Sequence, residues 1–165
     1  MASFTRKLQN ADVYLEDKTL VGLAKDVDCG TIEYEQSSHK PLGGIGEFNL
    51  PGKLKAMEGS INFESFISEA FEELHPNKHI KLQIHATIDH WDGGGMELQQ
   101  SIITHLTVRF FKMPAGKFAQ DEATSFETGF TIMAIKQVID GQNMREIDFI
   151  NNIDNFMDKP VNAPI

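Results

Sequence analysis

The chain has 165 residues and 18.5 kDa, one domain spanning 1–165, and its 41% apolar content is enough to build a core. Its 24 acidic against 15 basic residues, −9 at neutral pH, exclude a protein that holds nucleic acid by neutralising phosphates; its single cysteine, Cys29, excludes a disulfide framework and a cysteine-based zinc site. No apolar run reaches the roughly 18 residues of a membrane helix and the start, Met1 to Asn10, is polar and basic, so the expectation is a protein with no signal peptide and no anchor, with flexible ends at about 1–9 and 156–165.

In chain order, Val13 and Leu15, then Leu20, Gly22 and Ala24, flank the polar turn Glu16 to Thr19 and read as a β-hairpin. A third strand is expected around Thr31 to Gln36. From Ser37 to Gly52 the pattern stops, and the Gly and Pro content of Ser37 to Gly46 reads as a loop. That loop is long for a compact domain, and two readings stay open: a disordered excursion, or a segment that orders against a partner by burying Leu42, Ile45, Phe48 and Leu50.

A strand follows near Leu54 to Phe63. Phe66, Ile67, Ala70, Phe71 and Leu74 then recur at helical spacing between a capping Ser65 and a terminating Pro76, which predicts one short α-helix covering the sheet. Ile80, Leu82, Ile84, Ala86 and Ile88 alternate with polar residues in a strand that Gly93 to Gly95 ends. Two long strands are expected at Leu98 to Lys112 and Thr124 to Ile139. Their second face is not cleanly polar, since it offers Ile103 and Phe111 on one and Met133 and Ile135 on the other, and a neighbouring subunit is the natural cover. Asp140-Gly141 makes a two-residue turn into Met144 to Ile150. The fold class is mainly β, a β-sandwich or small barrel with that one helix.

Catalytic chemistry is sparse. His85, Asp89, His90 and Asp92, with His75 and His79 upstream, are the metal candidates of a small metal-dependent hydrolase, but a strand turns His90 away from His85 and Asp89. Cys29 has no histidine pattern around it, no G-x-S-x-G elbow occurs, and Gly93 to Gly95 lacks the tail of a phosphate loop. The reading is a non-enzyme with no cofactor and no metal.

Order and spacing do match a family. Asp140-Gly141, Arg145-Glu146-Ile147-Asp148 and Ile150-Asn151 form a D-G…E-I-D-x-x-N run. Near the start stand Asn10 to Leu15 and the return strand Val21 to Val27, and a Gly-rich loop precedes Leu54 to Gly59. In these the chain resembles the major tail tube proteins of contractile-tailed phages and R-type tail-like bacteriocins. The resemblance implies a virion structural protein, assembled in the host bacterial cytoplasm, whose hexameric rings stack into a hollow tube inside a sheath, between baseplate and tail terminator. DNA would pass through without specific binding, no membrane would be involved, and the two long strands would join their neighbours in one inner barrel. The tube of a type VI secretion-like injection machine is the alternative.

Subunit contacts are then expected at Leu42, Gly43, Gly44, Ile45 and Phe48 in the loop, at Ile103, Phe111, Met133 and Ile135, and at Glu146, Asp148 and Asn151. An acidic wall repels phosphate, so the bore is sought on the wet face of the long strands. That face offers Thr104 or His105, Thr107 and Arg109 on the first, and Glu127, Thr131 and Gln137, with Lys136 opposite, on the second.

Overall fold

A computed structural model describes residues 5–15, 18–19, 24–63, 74–113, 115, 120 and 126–162. Twelve strands run through them: β1 Thr5–Leu15, β2 Lys18–Thr19, β3 Ala24–Asp28, β4 Tyr34–His39, β5 Phe48–Leu54, β6 Met57–Phe63, β7 Ile80–Asp92, β8 Gly95–Lys112, β9 Phe126–Ile139, β10 Gln142–Asp148, β11 Ile153–Phe156 and β12 Lys159–Pro160. There is no helix among the described residues, and the helix expected after Ser65 falls on 64–73, outside them. Strands pair at both ends where flexible termini are expected. β1 is already paired at Thr5, and β12 folds back on β11 through a turn with Met157 and Asp158 at positive φ.

All ladders are antiparallel. The main sheet runs β12-β11-β10-β9-β8-β7-β1-β2, with β6 on the other side of β9 and β3 beyond it. The edge of β9 away from β8 therefore serves two neighbours: Phe126 to Ile132 pair with β6, and Ala134 to Ile139 pair with β10. The ladder to β8 skips Met133 at the changeover, a bulge that bends the sheet so that both wings enclose one core. Phe63 and Ile61 of β6, Phe110 and Val108 of β8, Phe126 and Phe130 of β9, Leu82 of β7 and Leu15 of β1 meet there. Phe110 and Phe130 touch edge to face at 5.7 Å. Alternation explains part of the membership: β8 buries Thr104, Leu106, Val108 and Phe110, whereas β7 buries Ile80 and Leu82 and then leaves Gln83 to Ile88 half-buried on both faces.

The Asp140-Gly141 turn forms as expected. Both residues have positive φ, 50° and 81°, as a two-residue hairpin with the twist of its strands requires. Asp140 also locks the turn to β8: its N–H donates to the Ser101 carbonyl at 2.9 Å, and its Oδ1 accepts the Ser101 N–H at 3.0 Å.

The stretch from Ser37 to Gly52 is not an irregular loop. β4 and β5 form a hairpin of their own with no ladder to the main sheet, and only 40–47 are turn-like. Pro51 and Gly52, which read as loop residues, are tolerated because a two-stranded ribbon has only edge strands, and Pro51 needs no second partner there.

Candidate assembly surfaces

The hairpin arm carries its apolar groups into solvent. Leu42 and Ile45 at the tip are fully exposed, Phe48 is half exposed against the His39 ring at 5.3 Å, and Gly43 takes a φ of 77° in the tip turn. Leu50 is exposed as well. Leu42 and Ile45 contribute almost nothing to folding in this position, and the four together form an exposed apolar patch on the arm.

At the arm's base a polar node fastens it to the body. Tyr34 of β4 donates its hydroxyl hydrogen to Asp154 Oδ2 at 2.7 Å, and Arg145 of β10 pairs with Asp154 Oδ1 at 2.9 Å and reaches the Tyr34 hydroxyl. The Arg145 guanidinium lies 5.6 Å from the Tyr34 ring centre and 5.8 Å from that of Phe156. Both charged side chains are mostly buried. Burial first, then the bond to Asp154, pushes the Tyr34 hydroxyl above its ordinary value and keeps it protonated. Beside the node a cleft of about 730 Å³ opens between the arm and β10 to β12, with Leu54, Ile147, Phe149 and Ile153 among its lining.

The D-x-x-N run has a local explanation. Asp148 Oδ1 accepts the N–H groups of Ile150 and Asn151, and its Oδ2 accepts from Asn151 Nδ2, which closes the turn from β10 to β11. Those bonds hold the Asp148 carboxyl below its ordinary range against a smaller opposing effect of burial. Glu146 faces Lys136 across the strands and is half-buried.

The outward face of the sheet brings the bore candidates into register. Glu58 of β6 pairs with Thr131 of β9, and Thr131 pairs with Arg109 of β8. Asp26 of β3, Asn62 of β6 and Glu127 of β9 form the next row, with Asn62 Nδ2 donating to Asp26 Oδ1 at 2.8 Å. Asp28 and Ser60 stand between. Thr107 follows beyond the bulge, beside Ala134. Of the two options at the first long strand, His105 faces outward and Thr104 is buried. Burial, then Lys136 and His85, lower the His105 pKa.

The Met133 bulge changes three assignments on β9. Ile135 drops into the core at 3% exposure, so it offers no subunit-facing surface. Lys136, expected opposite the bore candidates, shares the outward face with His105, while Gln137 pairs with buried Thr104 on the inner side. Ile103 stays on the outward face half-buried, Phe111 is 49% exposed, and Met133 is half-buried with its carbonyl bound by the Phe149 N–H. Sequence reasoning on two strands alone missed the acids of β3 and β6. The signal was present as alternation, since Asp26 and Asp28, and Glu58, Ser60 and Asn62, recur every second residue.

The metal candidates do not converge. His85 packs edge-on to Tyr14 at 4.9 Å and bonds Gln83, His90 bonds Gln100 on the other face, and Asp89 is buried. Asp92 Oδ1 accepts the Gly94 N–H, and the His75 ring nitrogen accepts that of Asn77. Among the described residues no group of three His, Cys, Asp or Glu side chains stands within reach of one ion.

Residues 5–163 match the family described as Phage tail tube protein FII. The chain belongs to that family. As a tail tube protein it is a structural component of a phage tail or tail-like particle and not an enzyme. No curated protein matches the sequence. Among solved structures, a chain of the sheath-tube complex of an extracellular contractile injection system (PVC) in its extended state is similar at 14% identity, with 78% of this chain and 88% of that one covered and a TM-score of 0.54. The same system's sheath/tube terminator gives 15% identity, 78% and 93% coverage and a TM-score of 0.54. The anti-feeding prophage tube terminating cap gives 13%, 78%, 87% and 0.53. At these identities the tail tube protein shares its fold with them.

Proposed function

We propose that hexameric rings of this chain stack into the inner tube of a contractile tail, enclosed by sheath and closed by a terminator, through which DNA leaves the particle. Family membership over residues 5–163 is the observation that carries the reading. The similar folds come from a sheath-tube complex and a sheath/tube terminator, which supports a contractile particle. In this reading the arm tip, with Leu42, Gly43, Gly44, Ile45 and Phe48, bears on stacking, and Ile103, Phe111 and Met133 face a neighbour in the ring. Asp148 and Asn151, through the turn they build, and Glu146 on β10 before it lie near a subunit boundary. Thr107, Glu127 and Thr131, joined by Asp26, Asp28 and Glu58, line the bore. At −9 per copy, and with four exposed acids on that face, such a wall repels phosphate, so DNA slides without sticking.

A tail-like injection particle without a genome is the second reading, favoured by the fold likeness to an extracellular injection system. Sedimentation of the purified protein over a range of concentrations and salts, followed by negative-stain imaging, tests assembly: rings or tubes are expected. A monomer of 18.5 kDa under every condition would overturn it. Nucleic acid content of the parent particles separates the two readings.

A further inference from the structure

We infer that Arg145 is the positioning residue of the arm: its guanidinium, pinned by Asp154, fixes the angle at which β4 and β5 leave the body and so where the apolar tip meets another copy. This rests on the reading of the arm as the stacking element. The argument starts from connectivity. Among the described residues β4 and β5 pair with each other alone, so no sheet ladder there dictates how the ribbon lies against the main sheet. A ribbon held only at its base pivots unless something other than backbone pairing holds it. Leu54 supplies apolar contact there, packing against the core cluster, but apolar contact is non-directional.

The directional contacts are those of the node. Tyr34 sits on the first residue of β4, opposite Leu54 of β5, where a small rotation is magnified along the ribbon to Leu42 and Ile45. Its hydroxyl is held from two sides, by Asp154 Oδ2 at 2.7 Å as acceptor and by Arg145 as donor, and its ring lies against the same guanidinium. Arg145 in turn is held by Asp154 at 2.9 Å and by the Phe156 ring. Nη2 makes both polar contacts while the flat guanidinium lies near the Tyr34 and Phe156 rings, a combination of point contact and plane that a lysine ammonium does not offer. The node also links the arm to the turn that Asp148 closes, since β10 and β11 supply Arg145 and Asp154 two rows apart in one ladder, with Glu146 and Asn155 between.

The test reads the arm's angle directly. Spin labels are placed at Ile45→Cys and Gln99→Cys in a Cys29→Ala background, and the distance distribution is measured by pulsed dipolar spectroscopy. In the parent protein it is expected to be narrow. Arg145→Ala and the milder Tyr34→Phe, which removes one hydroxyl, are expected to broaden it while the melting transition of the core is retained. Arg145→Lys is expected to lie between. If Arg145→Ala does not fold, Tyr34→Phe alone decides. Unchanged distributions in the folded variants overturn the inference. Stacking is scored separately, on Leu42→Ser/Ile45→Ser: normal tubes from that variant sink the stacking role of the arm, whereas the label distances still report whether Arg145 sets its angle.

Discussion

Asn151 binds both carboxylate oxygens of Asp148, its backbone N–H giving to Oδ1 at 3.1 Å and its side-chain amide to Oδ2 at 2.7 Å. The pair stabilises an ionised Asp148, so the folded pKa lies below the unfolded one, about 3.9. The contribution is complete above that unfolded value and is lost as pH falls through the lower folded one. Asn151→Ala is expected to cost about 1 kcal/mol at pH 7, discounted because the turn is exposed. Urea titrations of both proteins at pH 7 and near pH 3 check it: the gap should narrow at the lower pH. A gap that widens in acid would show that Asp148 is not the group involved.

How much of this was legible in the sequence depends on the range of the interaction. The alternation from Ile80 to Ile88 marked β7 as a strand, although only Ile80 and Leu82 are buried and Gln83 to Ile88 are half-buried on both faces, and Asp140-Gly141 marked its turn, because both are set by neighbours in the chain. The bulge at Met133 was not legible. Nothing in Met133-Ala134-Ile135 marks an extra residue, and once it is inserted every later side chain on β9 changes face, which moved Ile135 inward and Lys136 outward. Arg145 was visible inside the terminal motif, but its partner Tyr34 lies 111 residues away and only the fold brings them together.

Gly59 tests the core in a single atom. A Cβ there would lie 2.4 Å from the Asp28 carbonyl oxygen and 2.6 Å from the Phe130 ring, so β6 can run beside β3 and over that ring only without a side chain. Gly59→Ala is expected to cost about 1 to 3 kcal/mol, as overpacking of a closed core does. Gly46→Ala, with nothing within 4 Å of the added carbon, is the control and should change little. Thermal melts of the two side by side decide the matter. Equal melting temperatures would mean that β6 moves freely off Phe130.

Cys29 is expected to be unreactive. Burial, reinforced by the charge of Asp28, pushes its thiol up to about 11, so about one molecule in a thousand carries a thiolate at pH 8. Alkylation of the native protein at that pH should be slower than that of a free thiol by on the order of 10²-fold, and should speed up on unfolding. The raised value also has a stability consequence. The contribution is present below the unfolded value near 8.5 and is lost as pH rises through about 11. Labelling as fast as that of a small thiol would show that the site opens readily.

Replacing Leu42, Ile45 and Phe48 together by Ser should separate folding from assembly. The first two are fully exposed, so the protomer loses almost no buried area, and a stability change within about 0.5 kcal/mol is expected. Tubes should fail, because the same groups are what a second copy would cover. Sedimentation and melting are measured on one preparation. Intact tubes would move the stacking contact elsewhere, and a collapsed melting transition would mean that the tip packs in a way the exposed hairpin does not show.

The charge on the outward face sets the last expectation. Glu127 is exposed beside Asn62, with Asp26 in the same row, Asp28 in the adjoining row of that face and Glu58 in the row beyond, while Arg109 is half-buried and paired with Thr131. If this face lines the bore, a passing phosphate meets four exposed acids from three strands against exposed Lys112, which pairs with Gly129 between the Glu127 and Thr131 rows, and the net repulsion keeps it moving. Glu127→Lys replaces one acid by one cation in every subunit of a ring, each able to release a counterion on meeting a phosphate. Binding by such contacts weakens with salt, the logarithmic slope growing by about 0.9 for each phosphate held on duplex DNA. Assembled tubes of the variant should therefore retain DNA at low salt and release it at high salt, while tubes of the parent protein retain none in either. The stability of the protomer should not change, because Glu127 is exposed and its row partner Asn62 already bonds Asp26. Equal retention by both tubes would place Glu127 on the outside of the wall. Salt-independent retention by the variant would mean that the added lysine acts through something other than phosphate.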